Sequence, residues 1–340
     1  MITIDAKKIG ALDSLLMTSR NITVTAHTHP DGDALGSVTA MRSYLESRGL
    51  DVRAVLPDEY PDTIAFIDKD RKTEFGTPAA DTDLIICLDF NNFSRTGGME
   101  DSLVSSTAKK VLIDHHLNPD DEKFDLVFST PEVSSTCELL YFILKQMPDI
   151  GGEAGRLPSL CAEALMAGMT TDSNNFANSV FPTTLQMASE LLAAGVDRDA
   201  IVSNLYNEYR ENRVRAMSYL LSERLHICEN GLAYIILDKA TSMRFGLQDG
   251  ETEGLVNIPL SIGKVRISAL LKEDDGHYRV SLRSKKCISV NGLAAQWFHG
   301  GGHAQASGGK LYFPEDIKDT SETEEYIETA VAQFLQNTNR

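Results

Sequence analysis

VTAHTHPDGDALGS, residues 24–37, contains the end of an apolar run, a polar turn and the first residues of a helix. Residues 22–26 alternate Ile and Val with Thr before Ala, and a Pro and a Gly follow shortly afterwards. This pattern predicts a buried strand that ends in a loop. Beyond the loop, apolar residues recur at helical spacing up to Gly49. We therefore expect a strand–loop–helix unit around which the rest of the fold is built.

Three candidate metal ligands leave the tip of this strand, namely His27, Asp31 and Asp33. Open α/β sheets place their chemistry at the carboxyl ends of their strands. One imidazole and two carboxylates suit Mn²⁺, Mg²⁺ or Zn²⁺, and the stretch offers no thiolate. The alternative interpretation is that the two Asp residues only form the turn and cap the following helix.

Two further apolar runs also end in ionisable residues. The run LIICL, residues 84–88, is followed by Asp89, and VLI, residues 111–113, is followed by DHH at 114–116. Both runs favour buried strands, and together with a strand predicted at 51–56 they indicate a mostly parallel sheet. The explanation by turn chemistry alone would then require a separate coincidence at each strand.

A fourth segment, residues 159–171, is rich in Ala, Leu and Met and predicts a helix that leads into Asp172. Capping of a following helix by Asp172 is the competing interpretation. Taken together, the four segments supply five carboxylates and three imidazoles. That set is large enough for two neighbouring divalent ions, so we predict a metal site.

Composition and charge limit the class of protein. The 340 residues exceed a usual single domain, and 42% hydrophobic residues fit an ordinary globular chain. A net charge of −17 argues against coating of long nucleic acid, whereas a short anionic substrate remains compatible. The five separated cysteines fit reduced core residues rather than disulfides. Because no apolar signal core or membrane-length apolar stretch is present, we expect a cytoplasmic protein without a membrane partner.

The C-terminal part of the chain has a different pattern. Residues 183–225 are mainly helical in pattern and include a charged segment, whereas the runs at 231–237, 264–271 and 277–282 predict short strands of a second domain. Residues 276–310 contain five basic residues and no Asp or Glu. A one-sign surface of this kind attracts anions, although a solvated basic face is the alternative.

A glycine-rich segment inside this basic stretch is a candidate phosphate site. It consists of Gly300, Gly301, Gly302 and His303. Consecutive glycines let backbone N–H groups approach a phosphate, and a helix beginning near His303 would add its positive end. A flexible loop with a surface His is the alternative. Arg283, which follows an apolar strand, can fork two donors onto a phosphate.

These motifs resemble those of a known family. HTHPDGDALGS at 27–37, Asp89 after its strand, DHH at 114–116 and TTD at 170–172 are similar to the four motifs of the DHH phosphoesterase superfamily. GGGHAQASGG at 300–309 resembles the signature of the DHHA1 accessory domain. In order and spacing, the chain is similar to the bacterial subfamily of bifunctional oligoribonuclease and 3′-phosphoadenosine-5′-phosphate phosphatase, often called the NanoRNase family.

The resemblance implies an α/β fold. A mostly parallel-sheet DHH domain with helices on both faces would occupy residues 1–195 and carry the metals. A helical connector would span 196–225, and a smaller α/β DHHA1 domain at 226–340 would bind substrate, with the active site in the cleft between the domains.

The resemblance also implies roles for individual residues. The first metal ion, usually Mn²⁺ in this family, would be held by His27, Asp31 and Asp89. The second would be held by Asp33, Asp89, His115 and Asp172, with Asp89 bridging. His116 would face the substrate phosphate, Asp114 would support the histidines, and the substrate would be bound by Arg283, Gly300, Gly301, Gly302 and His303.

The fourth motif departs from the family pattern. Family members commonly read TDTG followed by an aromatic and a basic residue, whereas this chain reads TDSNNFAN. Asn174 stands at the Gly position and Ala177 where the basic residue is usual. The metal ligand is retained, so substrate preference is the property that this departure bears on.

We therefore expect a phosphoesterase with two divalent ions, Mn²⁺ or alternatively Mg²⁺, that hydrolyses short oligoribonucleotides to mononucleotides. 3′-Phosphoadenosine-5′-phosphate is a second candidate substrate, and hydrolysis of cyclic dinucleotides or their linear products is the rival activity. A non-catalytic nucleotide-binding module is the alternative from another class, which loss of a metal ligand would favour. RecJ-like action on long strands fits the acidic chain less well, and a type II pyrophosphatase should lack GGGH. Long duplex nucleic acid is not an expected partner, and the oligomeric state is left open, a homodimer included.

Overall fold

The structure is a computed structural model that describes residues 4–338. Internal contacts divide the described residues into two compact units, which meet in sequence between Glu208 and Tyr209. The helical spacing of Ile9, Leu12, Leu15 and Leu16 predicts an N-terminal helix over residues 2–18. A helix is observed from Ala6 to Thr18, and residues 2 and 3 lie outside the described part. No described helix is both long and apolar enough to span a membrane.

The first unit alternates strands and helices. Its strands are β1 (Ile22–Thr25), β2 (Val52–Leu56), β3 (Glu74–Phe75), β4 (Leu84–Leu88), β5 (Lys109–Asp114) and β6 (Leu126–Ser129). Its α-helices are α1 (Ala6–Thr18), α2 (Gly32–Ser47), α3 (Glu100–Ser105), α4 (Thr136–Lys145), α5 (Ser159–Asp172), α6 (Pro182–Ala193) and α7 (Arg198–Tyr206). Short 3-10 turns lie at Asp62–Ile64, Phe93–Met99, Asp121–Lys123 and Ala154–Arg156.

The six strands form one sheet in the order β3-β2-β1-β4-β5-β6, and every pairing is parallel. The predicted parallel α/β sheet is therefore confirmed. The strand order reverses between β1 and β4, which are hydrogen-bonded neighbours. In open α/β sheets the crevice beyond the carboxyl ends of such a pair is the usual ligand site.

The two faces of the sheet are covered by different cores. On one face, Leu84, Ile86 and Leu88 of β4 belong to the larger core, which also includes side chains of α2, α4 and α5. On the other face, Ile85 and Cys87 pack with side chains of α3 and the 3-10 turn before it. Burial on both sides explains why this strand is apolar without alternation.

Helices α2 and α5 touch through glycines. A Cβ atom at Gly168 of α5 would lie 2.3 Å from Cys137 Sγ and 3.1 Å from the carbonyl oxygen of Gly32. A Cβ at Gly36 of α2 would lie 2.8 Å from the carbonyl oxygen of Ala164. Only glycine fits at these positions without displacing backbone or a buried side chain, so the helix backbones approach closely.

The second unit is a mixed α/β unit. Its strands are β7 (Leu225–Ile227), β8 (Leu232–Leu237), β9 (Ile267–Asp274), β10 (His277–Ser284), β11 (Gly301–Gly302) and β12 (Ala306–Tyr312). Its α-helices are α8 (Glu211–Glu223), α9 (Lys239–Phe245), α10 (Asn291–Trp297) and α11 (Thr323–Thr338), with 3-10 turns at Leu255–Ser261 and Thr320–Glu322. The sheet order is β11-β12-β10-β9-β8-β7, and of these pairings β8–β9 is parallel and the others are antiparallel.

The predicted helix near His303 is wrong, because the chain there turns between two paired strands. The backbone N–H of His303 donates to the carbonyl oxygen of Ala306 at 2.8 Å, which closes the turn between β11 and β12. A Cβ at Gly300 would lie 1.9 Å from the carbonyl oxygen of Gly308. The glycine run therefore allows close strand packing rather than a helix start.

All five cysteines, which lie within the described residues, are free thiols. Cys87, Cys137 and Cys161 are buried, as expected for core residues, whereas Cys287 is exposed. The described residues thus form no disulfide, as expected, whereas the expected burial holds for three of the five cysteines.

Candidate metal centre

The fold collects the predicted ligands at one edge of the first sheet. His27 follows β1, Asp89 follows β4 and Asp114 is the last residue of β5. Because β1, β4 and β5 are parallel neighbours, their carboxyl ends meet. Asp33 comes from the first turn of α2, and Asp172 is the last residue of α5. The glycine contact between these helices brings the two carboxylates toward the same edge.

His27, Asp31 and Asp89 form the first donor group, whose ligand atoms all lie within 4.8 Å of one another. His27 Nε2 lies 3.3 Å from Asp89 Oδ2, and His27 Nδ1 lies 2.7 Å from the carbonyl oxygen of Thr28. Since that carbonyl can only accept, Nδ1 carries the proton, and in the neutral ring the Nε2 lone pair is available to a metal ion that Asp89 Oδ2 would also bind. Burial, followed by the charge of Arg95, lowers the pKa of His27 and favours the neutral ring.

Asp33, His115 and Asp172 form the second donor group, again within 4.8 Å. His115 Nε2 lies 3.4 Å from Asp172 Oδ2 and 3.9 Å from Asp33 Oδ2. The same nitrogen lies 3.5 Å from Asp89 Oδ1. Asp89 thus directs Oδ2 toward the first group and Oδ1 toward the second, which is the arrangement required of a shared ligand.

The backbone at Asp89 is unusual. Its φ is 63°, in the left-handed region that non-glycine residues seldom adopt. Its N–H donates to the carbonyl oxygen of Ile113 at 3.1 Å, and the residue is 2% exposed. Strained backbone of this kind persists where the surrounding structure holds it and is concentrated at functional sites.

The buried carboxylates of Asp33 and Asp89 are ionised at neutral pH only if nearby positive charge stabilises them. Burial, reinforced by neighbouring carboxylates, raises the pKa of both residues well above the ordinary value. The nitrogen atoms within ion-pairing distance of Asp89 belong to His27, His115 and His116. Imidazole nitrogens and carboxylate oxygens are suitable ligands for Mn²⁺, so the donor set fits divalent ions.

Asp114 holds His116 rather than facing outward. It is fully buried, and its two oxygens accept hydrogen bonds from His116 Nδ1 at 2.7 Å and from the His116 backbone N–H at 3.1 Å. The rings of His115 and His116 meet edge to face with centroids 4.8 Å apart. These contacts fix the orientation of the His116 ring.

Asp31 is both a helix cap and a member of the first donor group. Its Oδ1 accepts the backbone N–H groups of Asp33 and Ala34, each at 3.0 Å. The capping interpretation is therefore correct for Asp31, and it does not exclude metal binding, because Oδ2 takes no part in the cap. Asp31 is exposed and Asp172 is partly exposed, so the open side of the site lies there.

Asp172 ends α5, and the next helix, α6, begins well beyond it, so Asp172 does not cap a following helix. Directly after it, Asn174, Asn175 and Phe176 all adopt positive φ, at 46°, 54° and 67°. Asn is among the residues that tolerate this conformation best. The Asn at the family's Gly position is therefore compatible with the backbone that Gly would adopt. Arg198 supports the loop, since its guanidinium lies over the Phe176 ring, 5.4 Å from the centroid.

The start of α4 is a part of the site that sequence reasoning missed. The backbone N–H groups of Thr136 and Cys137 donate to Asp33 Oδ2 and Oδ1 at 2.7 and 2.9 Å. The Thr136 hydroxyl donates to Asp89 Oδ1 at 2.9 Å. A signal was present, because Ser135 and Glu138 have the spacing of a capping box before an apolar run.

Arg95 is a second residue that sequence reasoning missed. It lies in the 3-10 turn Phe93–Met99 after β4 and is half-buried. Its carbonyl oxygen accepts the N–H of Thr28 at 2.9 Å, which joins this turn to the segment that carries His27. Its positive charge partly offsets the factors that raise the pKa of Asp89, of which burial is the largest. Its position could not be inferred from spacing alone.

The predicted substrate residues of the second unit also lie near one another. Arg283 on β10 is paired in register with Ala306 on β12, at the end of the turn that contains His303. Its Nη1 donates to the carbonyl oxygen of Leu282 at 3.0 Å. Arg283 and the glycine-rich turn therefore share one corner of the second sheet.

The basic stretch at residues 276–310, which contains no Asp or Glu, does not form a surface with positive charge alone. Arg279 lies 3.3 Å from Asp249 Oδ1 and 3.2 Å from Asp274 Oδ2, and both carboxylates lie outside residues 276–310. Lys285 Nζ donates to the carbonyl oxygens of residues 262 and 263 at 3.1 and 3.2 Å. The excess of positive charge in the sequence is thus partly neutralised by the fold.

Comparison with known proteins agrees with this architecture. Residues 21–169 match the DHH family, N-terminal domain, and residues 232–329 match the DHHA1 domain. The bifunctional oligoribonuclease and PAP phosphatase NrnA of Bacillus subtilis is 30% identical over 295 residues, which cover 84% of this chain and 88% of that protein. A crystal structure of an exopolyphosphatase-related protein from Bacteroides fragilis is 32% identical, with a TM-score of 0.88 and full coverage of both chains.

A third relative is larger than this chain. The cyclic-di-AMP phosphodiesterase GdpP of Geobacillus thermodenitrificans is 27% identical over 344 residues, which cover 96% of this chain and 49% of that protein. The matches extend over both units, and the donor groups lie within the matched DHH region or directly after it. The chain belongs to the DHH family of phosphoesterases, with a DHHA1 domain following the DHH domain.

Proposed function

We propose that this protein hydrolyses short oligoribonucleotides to mononucleotides with two divalent metal ions, of which Mn²⁺ is the first candidate and Mg²⁺ the second. The observation that carries the proposal is the position of Asp89 between two donor groups, with one carboxylate oxygen directed toward each. The substrate class follows from the oligoribonuclease named for the Bacillus subtilis relative.

The two ions would be held by the two donor groups. The first group would supply His27, Asp31 and Asp89, and the second would supply Asp33, His115 and Asp172. Asp89 would be the shared ligand, because its Oδ1 lies 3.5 Å from His115 Nε2 of the second group. When bound, such a pair supplies an activated water and neutralises charge on the attacked phosphoryl group. The partly exposed side at Asp31 and Asp172 leaves room for a phosphate to approach.

His116 is the candidate proton donor. Asp114 accepts the Nδ1 proton, so only the doubly protonated ring carries a proton on Nε2, and in that form His116 would give this proton to the leaving oxygen of the substrate and become neutral. Because Asp114 is fully buried and binds His116 through both oxygens, its contribution is orientation and charge, not contact with substrate. Arg95 supplies a cation next to this acidic centre and is a candidate for holding the same phosphate.

The second unit would provide affinity for the rest of the substrate. Arg283 and His303 are the candidate contacts to a second phosphate or the 5′ end, together with the glycine run 300–302. Within that run, Gly301 is exposed, and a Cβ added to it would have one neighbour, Asn291 Nδ2 at 4.0 Å. The backbone of Gly301 is therefore the most accessible part of the proposed cradle.

Two further substrates have specific support. 3′-Phosphoadenosine-5′-phosphate is supported by the phosphatase activity in the name of the Bacillus subtilis relative. Cyclic dinucleotides are supported by the cyclic-di-AMP phosphodiesterase, which matches over nearly the whole of this chain. All three reactions use the same attack on a phosphoryl group, so the metal centre alone does not separate them.

The test is a ranking of initial rates. Purified protein with Mn²⁺ is incubated with RNA from a dinucleotide to about a 24-mer, with cyclic dinucleotides and with 3′-phosphoadenosine-5′-phosphate. We expect the highest kcat/KM for the shortest RNAs. Faster turnover of a cyclic dinucleotide would replace the proposal by the phosphodiesterase alternative, and absence of turnover on all substrates would favour a binding module.

A further inference from the structure

The N-terminus of α4 faces the buried carboxylates of the metal centre. We propose that Thr136 is a positioning residue that fixes the spacing and orientation of Asp33 and Asp89, and thereby sets the affinity of the site for divalent ions. This inference rests on the metal-dependent function proposed above and assigns a role to a residue outside the predicted ligand set.

The geometry around Thr136 is specific. Its backbone N–H donates to Asp33 Oδ2 at 2.7 Å, and its hydroxyl donates to Asp89 Oδ1 at 2.9 Å. Since a carboxylate can only accept, the direction of the hydroxyl hydrogen bond is determined when Asp89 is ionised. Thr136 is fully buried, so no solvent competes for these hydrogen bonds. One residue thus contacts a carboxylate from each donor group.

The start of α4 is itself rigidly held. The Ser135 hydroxyl accepts the N–H of Glu138 at 3.0 Å and caps the helix. Glu138 is fully buried, and its Oε2 accepts the Ser134 hydroxyl and the Thr184 hydroxyl, each at 2.6 Å. These contacts connect the first turn of α4 to α6. The position from which Thr136 donates its two hydrogen bonds is therefore fixed.

The consequence for Asp89 concerns rotation of its carboxylate. Oδ1 must stay near His115 and Oδ2 near His27 for one side chain to serve both groups. Without the Thr136 hydroxyl, the carboxylate loses the hydrogen bond that selects this rotation. Hydrogen-bonding partners of metal ligands typically change metal affinity about 10- to 100-fold when they are removed.

The test compares Thr136→Val with Thr136→Ser by calorimetric titration with Mn²⁺. Val keeps the shape but lacks the hydroxyl, and Ser keeps the hydroxyl. We expect Thr136→Val to weaken Mn²⁺ binding about 10- to 100-fold and Thr136→Ser to stay within about threefold of the wild type. Saturating Mn²⁺ should restore most of the kcat of Thr136→Val, which a general packing defect would not allow.

Thr136→Ala provides the comparison if Thr136→Val does not fold. Ala and Ser both lack the methyl group, so their difference isolates the hydroxyl. Wild-type Mn²⁺ affinity in Thr136→Val, or equal weakening in Ala and Ser, would overturn the inference and leave the proposed function intact. Conversely, wild-type protein that binds Mn²⁺ but turns over no nucleotide would overturn the proposed function, and the Thr136 comparison would still be decisive.

Discussion

Two glycine-containing segments, residues 32–36 in the first unit and 300–302 in the second, both allow close approach of backbone segments. The consequences of this close approach differ between the two units. A Cβ at Gly36 would lie 2.8 Å from a carbonyl oxygen of α5, and a Cβ at Gly300 would lie 1.9 Å from a carbonyl oxygen of β12. In the first unit this close approach brings buried carboxylates together. In the second it folds a tight turn next to partly exposed basic side chains.

The difference separates two kinds of site. In the first unit, Asp33 and Asp89 are 1% and 2% exposed, and burial raises the pKa of both. Bound cations would offset the electrostatic cost of keeping these carboxylates ionised, which suits a metal centre. In the second unit, a basic residue such as Arg279 is already paired with carboxylates, so the proposed recognition of substrate would rest on a few accessible groups.

The largest effect is expected from Asp89→Asn. Loss of a carboxylate shared by both donor groups should lower kcat/KM about 10³-fold, equivalent to roughly 4 kcal/mol of transition-state stabilisation. Asn is preferred to Ala because φ is 63° at this position and Asn tolerates left-handed backbone. Steady-state hydrolysis of an RNA dinucleotide provides the measurement. Retention of more than about a tenth of the activity would contradict the shared-ligand role.

The next effect separates chemistry from substrate binding. Arg283→Ala should cost about 1.5–3 kcal/mol on an RNA dinucleotide, which is roughly 10- to 150-fold in kcat/KM. A nitrophenyl phosphodiester has no second phosphate and should be hydrolysed at nearly the wild-type rate. Arg279→Ala is the matched control, because Arg279 lies on the same strand but is paired with Asp249 and Asp274. Equal losses of kcat/KM on the dinucleotide and on the nitrophenyl phosphodiester would contradict the proposal that the first unit carries the chemistry and the second binds substrate.

The helix contact is tested by Gly168→Ala. The added methyl group would lie 2.3 Å from Cys137 Sγ and 3.1 Å from Asp33 Oδ1, so we expect destabilisation by about 1–3 kcal/mol and weaker Mn²⁺ binding. Gly10→Ala in α1 is the control, since nothing lies within 4 Å of its Cβ position and it should stabilise by about 0.5–1 kcal/mol. Denaturant unfolding measures both. Similar changes in the two variants would show that the α2–α5 contact is not tight.

The smallest effect is expected from Asn174→Gly, which restores the family residue. Because Asn174 already has φ 46°, the free energy of unfolding should change by no more than about 0.5 kcal/mol. The order of substrates by kcat/KM should also stay the same. A changed order would show that Asn174 selects substrate through its side chain.

Much of the first unit could be predicted from the sequence. The run at 84–88 is observed as β4 with the predicted bounds, and α5 extends one residue beyond the predicted helix, to Asp172. An apolar run that ends in ionisable residues indicates the end of a buried strand. The strand must be apolar to be buried, and the ionisable residues begin where the chain leaves the core. The predicted ligands therefore meet at one edge although they are far apart in sequence.

The missed features depend on tertiary structure. The capping-box spacing of Ser135 and Glu138 indicates a helix start. It does not indicate that Thr136 contacts Asp33 and Asp89, which lie more than 40 residues away. The helix predicted near His303 was wrong because a glycine run serves a helix start and a strand turn equally well. Pairing of Arg279 with Asp249 likewise depends on a distant segment.

The central claim is that Asp89 is shared by two metal ions, and calorimetric titration with Mn²⁺ tests it most directly. The wild-type chain should bind two ions, and Asp89→Asn should lose or strongly weaken both sites, because each donor group uses one oxygen of this carboxylate. Thermal unfolding without metal would establish that the variant is folded. Two sites of wild-type affinity in Asp89→Asn would contradict the account.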